Sequence, residues 1–339
     1  MTTRAFIAGC SGLELTPQER AFFREALPWG FILFRRNIDN PAQVRALCDA
    51  LRETVGRADA PILIDQEGGR VQRMGPPHWP KYPSGRTYGR LHAEDPVAQR
   101  EIARLGARLI AHDLLSVGIN VDCLPVLDVP VEGAHDVIGD RAYAREPDKV
   151  AVLGRAAAEG LLAGGVLPVI KHVPGHGRAG VDSHLSLPVV DASMDELESR
   201  DFKPFRILAD MPLAMSAHVV YTALDPDNPA TTSARVVQDV IRSRIGFDGL
   251  LMTDDLSMQA LSGTFRDRAE AAIRAGCDML LHCNGRLDEM APVAEAAPEL
   301  ADSARRRAES ALRRIGHEPE PLDPVDARAR LDAAASAVA

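Results

Sequence analysis

Short runs of Val, Ile, Leu and Phe recur along the chain, each followed by a polar loop and then by a stretch whose apolar residues return at helical spacing. This switching of period predicts strands over Phe6–Ala8, Gly30–Phe34, Pro61–Asp65, Ile119–Leu124, Leu167–His172, Leu213–His218, Gly249–Thr253 and Asp278–Cys283. Helices are expected between them, over Pro17–Leu27, Pro41–Val55, Pro96–Val117, Asp148–Ala163, Met194–Ala209, Ser233–Ile245 and Phe265–Ala275. Thr16-Pro17 and Asn40-Pro41 each place a capping side chain before a proline suited to the first helical turn, and Ser193 with Glu196 forms a capping-box pattern. Gly118, Gly164, Gly246 and Gly276 stand where helices should stop.

Eight strands alternating with helices is the number that closes a parallel barrel, so the expected fold is α/β, a single-domain (β/α)8 TIM-type barrel. The barrel is assigned to residues 1–316, and residues 317–339, which begin with the proline-rich Glu318–Pro324, are set apart as a tail without an assigned role. A doubly wound open sheet is the competing arrangement. Its phosphate-loop fingerprint, G-x-x-x-x-G-K-[ST], does not occur in the chain.

Composition narrows the function classes. With 39 Lys+Arg against 48 Asp+Glu the formal charge is −9, which argues against gripping nucleic acid or an anionic membrane, both of which need local positive charge. Five scattered cysteines, with no C-x-x-C pair, suggest neither a disulfide framework nor a zinc knuckle. The apolar start of the chain is too short for a signal peptide, and the region Gly160–Ile170 is broken by Gly164, Gly165 and Pro168. A cytoplasmic protein acting on a small molecule, with no cofactor, is the expectation.

Charge then interrupts the apolar strands at their C-terminal ends. Asp65 follows ILI, Asp128 follows LPVL, Lys171-His172 end LPVI, His218 follows LAMSA, Asp254-Asp255 follow LLMT, and His282 lies in LLHCN. In a parallel barrel these C-terminal strand ends share one rim, where active sites are built. Directly after the third strand, DQEGGRVQR brings Gly68 and Gly69, suited to a tight turn, and Arg70 and Arg73, whose planar forks could hold hydroxyl or carboxylate groups or simply neutralise Asp65, Glu67 and Asp128. The segment Lys171–Pro188 has no regular period and is expected to be a mobile loop. Within it Asp182 and His184 stand two apart, which on extended chain puts both on one side, where the carboxylate would orient the imidazole and favour its protonated form. The same loop offers His172, His176 and His184 to a metal ion, although its glycines and prolines lack the helical H-x-x-x-H spacing. A metal-dependent hydrolase and a non-enzymatic sugar binder therefore remain as alternatives.

Taken in order, ILFRRN (32–37), DQEGGRVQR (65–73), PVLDV (125–129), GDRAY (139–143), KHVPGHG with DSH (171–184) and GFDGLLMTDDLSM (246–258) resemble the family 3 glycoside hydrolases. Within that family the chain looks like the single-domain bacterial β-N-acetylglucosaminidases of cell-wall recycling. The resemblance implies a retaining exo-glycosidase without a metal or other cofactor, with Asp254 as nucleophile and His184, assisted by Asp182, as acid/base. It carries sugar-binding roles onto Asp65, Arg73, Arg141, Lys171 and His172. The implied substrate is N-acetylglucosamine linked β-1,4 to 1,6-anhydro-N-acetylmuramic acid, with or without peptide.

Overall fold

A computed structural model describes residues 3–181, 183 and 186–337. Eight parallel strands close on themselves: β1 (Arg4–Gly9), β2 (Pro28–Leu33), β3 (Ile62–Ile64), β4 (Val121–Asp122), β5 (Leu167–Val173), β6 (Leu213–Ser216), β7 (Leu250–Asp255) and β8 (Met279–His282). Each bonds its neighbours in chain order, and β1 meets β8 in the register Phe6↔Leu280, Ile7↔Leu281, Ala8↔His282. This is the (β/α)8 barrel that the alternation predicts. The crossovers carry α1 (Pro17–Ala26), α2 (Pro41–Val55), α3 (Pro96–Leu115), α4 (Pro147–Ala163), the helical stretches α5 (194–207) and α6 (234–244), and helices α7 (Phe265–Ala275) and α8 (Leu287–Ala296).

Local chemistry sets the helix ends as expected. Thr16 closes a capping box with Glu19 and Ser193 closes one with Glu196, while the Asn40 side chain accepts from the Gln43 amide. Each satisfies amides that a helix start leaves unpaired. β4 is shorter than its apolar run because Pro125 ends the supply of ladder donors, although Cys123 N still donates to Ile64 O at 2.8 Å.

Two apolar layers follow from the period of two along each strand. Ile7, Ile32, Leu63, Val121, Leu167, Val169, Leu213, Met215, Leu250, Met252, Met279 and Leu281 fill the barrel interior. The alternate residues, among them Phe6, Phe31, Leu33, Ile62, Ile64, Ile170, Ala214, Leu251 and Leu280, pack outward under the helices. The register lines the inner set up across strands, as in Leu63↔Val121, Val121↔Leu167 and Met252↔Met279.

Residues 317–337, the described part of the tail set apart in the sequence, continue the packing. Glu320 N donates to Ala163 O at 2.8 Å, and Arg104 grips the Glu320 carboxylate at 2.7 Å. Pro324–Ser336 then forms a helix, here α9, whose Ala327 and Leu331 are buried. Leu331→Ala should therefore lower stability by roughly 2–5 kcal/mol, the usual cost of emptying a buried leucine site. Urea denaturation measures it, and a change below about 0.5 kcal/mol would mean that α9 does not pack on the barrel in solution.

Candidate active site

The parity that fills the barrel continues past the strand ends and decides which polar residues face its mouth. Two residues beyond Leu63 comes Asp65, two beyond Val169 comes Lys171, and two beyond Met252 comes Asp254. All three line one cleft of about 140 Å³, together with Glu67, Arg73, Arg141, His172, His176 and Ser183. Apolar side chains complete the wall, notably Phe34, Val71, Ile138, Met215 and Met258.

Residues of the opposite parity do other work. Asp255 accepts from Ser257 N at 3.0 Å, Ser257 Oγ at 2.6 Å and Cys283 N at 3.1 Å, which ties the end of β7 to that of β8. Its carboxylate is thereby committed away from Asp254, although the residue borders the cleft. His218 is buried between Thr231 Oγ1 at 2.8 Å and the Asp255 carbonyl at 3.0 Å. His282 is buried beside Phe265, with ring centroids 5.7 Å apart. Burial pushes the pKa of both imidazoles down. Of the rim positions singled out in the sequence, His218 and His282 thus lie outside the cleft.

The cleft floor is a charge network. Lys171 Nζ sits 2.9 Å from Asp65 Oδ1 and 2.6 Å from Glu67 Oε1, with its side chain only 2% exposed. Arg73 holds the other Asp65 oxygen at 2.9 Å. Arg141 clasps Glu67 through two bonds of 2.8 Å, from Nε to Oε2 and from Nη2 to Oε1. Burial by itself would raise the Asp65 and Glu67 carboxyls. For Asp65 the Lys171 and Arg73 cations outweigh it, and for Glu67 Arg141 and Lys171 do, so both are held below their ordinary values. The same carboxylates overcome burial at Lys171 and hold the ammonium above its ordinary value.

Behind this floor Asp128 organises two histidines. Its Oδ2 accepts from His172 Nδ1 at 2.7 Å, and its Oδ1 from the backbone amides of His172 at 3.2 Å and His176 at 2.6 Å. Burial opposes ionisation of Asp128, but His172 and these bonds bring its carboxyl down to about 2. The bond to Asp128 requires the His172 proton on Nδ1 and leaves Nε2 available to the cleft. His176 stacks edge-on against His172 at 5.6 Å between centroids, and its Nε2 bonds Ser183 Oγ at 3.1 Å. Burial, reinforced by His172, brings the His176 pKa down to about 4, so its ring is neutral at pH 7.

Three sequence expectations are revised. Arg70 does not join the cleft: it pairs outward with Asp136 at 3.3 Å and Asp140 at 3.1 Å. Asp128 meets a histidine rather than an arginine. The segment from Lys171 is not a uniform loop, because Lys171–Val173 belongs to β5 and residues 174–177 are buried behind it. There Tyr221 Oη donates to Gly175 O at 2.6 Å, and Gly177 lies where a Cβ would meet the Val129 carbonyl oxygen at 2.2 Å, closer than any side chain tolerates. Asp182 and His184, the expected acid/base pair, lie outside the described residues; Ser183, between them in sequence, is buried and lines the cleft. Sequence reasoning gives Glu67 only as a charge to be neutralised after the third strand and misses its pairing with Arg141 and Lys171. Its only signal was its place two after Asp65, on the short strand Gln66–Gly68 that pairs with Val71–Gln72. Among the described residues no cluster of three or more His, Cys, Asp or Glu is placed to hold a metal ion.

Comparison with known proteins agrees with this architecture. Residues 18–317 match the Glycosyl hydrolase family 3 N terminal domain. The chain is 39% identical to the beta-hexosaminidase of Aromatoleum aromaticum over 320 residues, 93% of this chain and 87% of the relative. It is 40% identical to that of Nitrosomonas eutropha over 280 residues, 81% and 79% of the two. Among solved structures, NagZ from Neisseria gonorrhoeae in complex with N-trifluoroacetyl-D-glucosamine superposes with a TM-score of 0.87 at 32% identity, covering 99% of both chains. A family 3 beta-N-acetylglucosaminidase from Paenibacillus sp. gives 0.86 at 30% identity, covering 98% of this chain and 67% of that one. A parallel barrel with its charged cleft at the C-terminal strand ends, matched in sequence and fold over nearly its whole length, belongs to glycosyl hydrolase family 3 and is a glycoside hydrolase of the β-N-acetylhexosaminidase kind.

Proposed function

We propose that the chain is a retaining exo-β-N-acetylglucosaminidase that removes non-reducing terminal β-1,4-linked N-acetylglucosamine from cytoplasmic muropeptide fragments. The observation that carries the reading is the placement of Asp254 in one cleft with Asp65, Arg73, Arg141, Lys171 and His172. In this reading Asp254 attacks the anomeric carbon while His184 protonates the leaving oxygen. The C–O bond to the aglycone breaks as the Asp254 ester forms, and His184, with Asp182 behind it, then takes a proton from the water that hydrolyses the ester. Asp65, Lys171 and His172 bind the sugar hydroxyls, and Arg73 and Arg141 add polar anchors. Paired in advance as they are, these groups need little reordering when substrate arrives.

The choice of a 2-acetamido sugar is supported by the Neisseria relative solved with N-trifluoroacetyl-D-glucosamine. The cytoplasmic setting is supported by five cysteines that are all buried and unpaired, and among the described residues no helix is long and apolar enough to cross a membrane. Neutral His176 serves as the anchor of Ser183, whose hydroxyl it meets at 3.1 Å.

Three outcomes follow. Asp254→Ala should lower kcat on an aryl β-N-acetylglucosaminide by on the order of 10³-fold or more, and a slow 5-fluoro glycosyl substrate should leave a mass-detectable adduct on Asp254. Intact hydrolysis in the variant would end the nucleophile assignment. Release of the aryl group should persist in EDTA, and loss of activity on chelation would favour a metal-dependent reaction instead. The third outcome concerns pH. With a folded-state pKa of about 4 against about 6.5 when unfolded, His176 binds fewer protons folded than unfolded between these values. Stability must therefore fall as pH drops from about 6.5 toward 4. Denaturation of His176→Asn across that window should show a flatter pH dependence than the parent; an unchanged slope would remove His176 as the source.

A further inference from the structure

Helix α9 lies beyond residue 317, where the family match ends, yet one of its side chains reaches Tyr82, whose main chain is bound to the hairpin that builds the cleft. Arg328 Nη2 donates to Tyr82 Oη at 2.6 Å, and its guanidinium lies over the Tyr82 ring, 4.5 Å from the centroid. The Tyr82 hydroxyl in turn donates to Asp113 Oδ2 on α3 at 2.5 Å, which leaves the ring held from both sides. Tyr82 is 3% exposed, and its main chain is bound to the hairpin twice. Gly69 N donates to Tyr82 O at 2.9 Å, and Tyr82 N donates to Gln72 Oε1 at 2.9 Å.

Those two bonds fall at the turn and the return strand of the hairpin. Gly68 and Gly69 make the turn with φ of +88° and +57°, and at both a Cβ would collide with the 82–84 stretch: with Pro83 O at 2.2 Å from Gly68 and with Ser84 Cβ at 2.7 Å from Gly69. The hairpin can therefore sit this close to Tyr82–Ser84 only as glycine. Glu67 precedes the turn and Arg73 follows the return strand, whose ends are further fixed by Gln66 Oε1, which accepts from Arg73 N and Met74 N at 3.0 Å each. A continuous series of contacts thus runs from Arg328 through Tyr82 to Glu67, which pairs with Lys171, and Arg73, which pairs with Asp65.

We propose that α9 is a positioning element of the active site, in which Arg328 clamps Tyr82 and so holds the hairpin that places Glu67 and Arg73 against Lys171 and Asp65. Arg328 touches no substrate; it acts through Tyr82. The proposal rests on the reading that Asp65, Arg73 and Lys171 hold the sugar.

The experiment is steady-state kinetics on an aryl β-N-acetylglucosaminide at 25 °C with the full-length protein. Arg328→Ala should lose roughly 10- to 100-fold in kcat/KM, the scale on which a misplaced substrate contact is felt. Arg328→Lys, which keeps the charge but not the planar stack, should recover part of the loss, and Tyr82→Phe, which keeps the ring but loses both hydroxyl bonds, should fall between. Val237→Ala, a buried site in the helical stretch 234–244 across the barrel, provides the control. It should lower the melting temperature yet keep the kinetics of the parent. Parent-like kcat/KM in Arg328→Ala, or an equal loss in Val237→Ala, would overturn the proposal. Asp65→Asn separates the two readings: if it is impaired while Arg328→Ala is not, only the clamp fails, and if Asp65→Asn is itself unimpaired, the sugar-binding assignment fails with it. Should Arg328→Ala not fold, Tyr82→Phe decides by the same criterion.

Discussion

Withdrawing the Lys171 ammonium from water costs several kcal/mol even after the surroundings relax, and Asp65 and Glu67 are what make that burial tolerable. Neither carboxylate is left with Lys171 alone, since Arg73 completes Asp65 and Arg141 completes Glu67. Five side chains from the end of β3, the following hairpin, the turn 139–141 and β5 therefore share one electrostatic solution. Displacing any one leaves a buried charge short of a partner, so the cleft resists partial rearrangement more strongly than its hydrogen-bond count alone suggests.

The barrel decides who may join that solution. Side chains on a strand alternate between the interior and the helix layer, and the interior set is apolar as far as Leu63, Val169 and Met252. Beyond those residues the interior opens to solvent, and the next residue of the same parity is charged in each case: Asp65, Lys171, Asp254. One step out of phase, Asp255 and His282 meet strand ends and helices instead. The cleft is thus the polar continuation of the barrel's own packing.

That logic explains which parts were legible in the chain before any coordinates. All eight strands and their intervening helices follow from period switching, and the (β/α)8 closure from their number. The cleft residues Asp65, Lys171, His172 and Asp254 were legible because they end apolar runs. Glu67 was not, because it follows Asp65 in a loop-like stretch and its partner Arg141 is 74 residues away; only the fold brings them together. The same holds for Asp128 with His172, and for Arg328 with Tyr82. Rim position without parity also misled, since His218 and His282 end their strands as plausibly as Lys171 does. The resemblance to family 3 selected among candidates that local pattern could not rank.

The electrostatics also bear on why a histidine rather than a second carboxylate would serve as the acid in the proposed mechanism. Retaining glycosidases usually set two carboxyl groups about 5–5.5 Å apart. Here Asp65, Glu67 and Asp254 already line the cleft, with Asp128 behind its floor, and the cations close to them are engaged with Asp65 and Glu67. A further carboxylate would face like charges with no free cation from this network to meet it. An imidazole adds no anion, titrates near neutrality when unperturbed, and carries positive charge only in the state in which it donates. His176, which bonds Ser183 Oγ at 3.1 Å, has its pKa brought down to about 4 by burial and by His172, so it adds no imidazolium to the cleft at neutral pH.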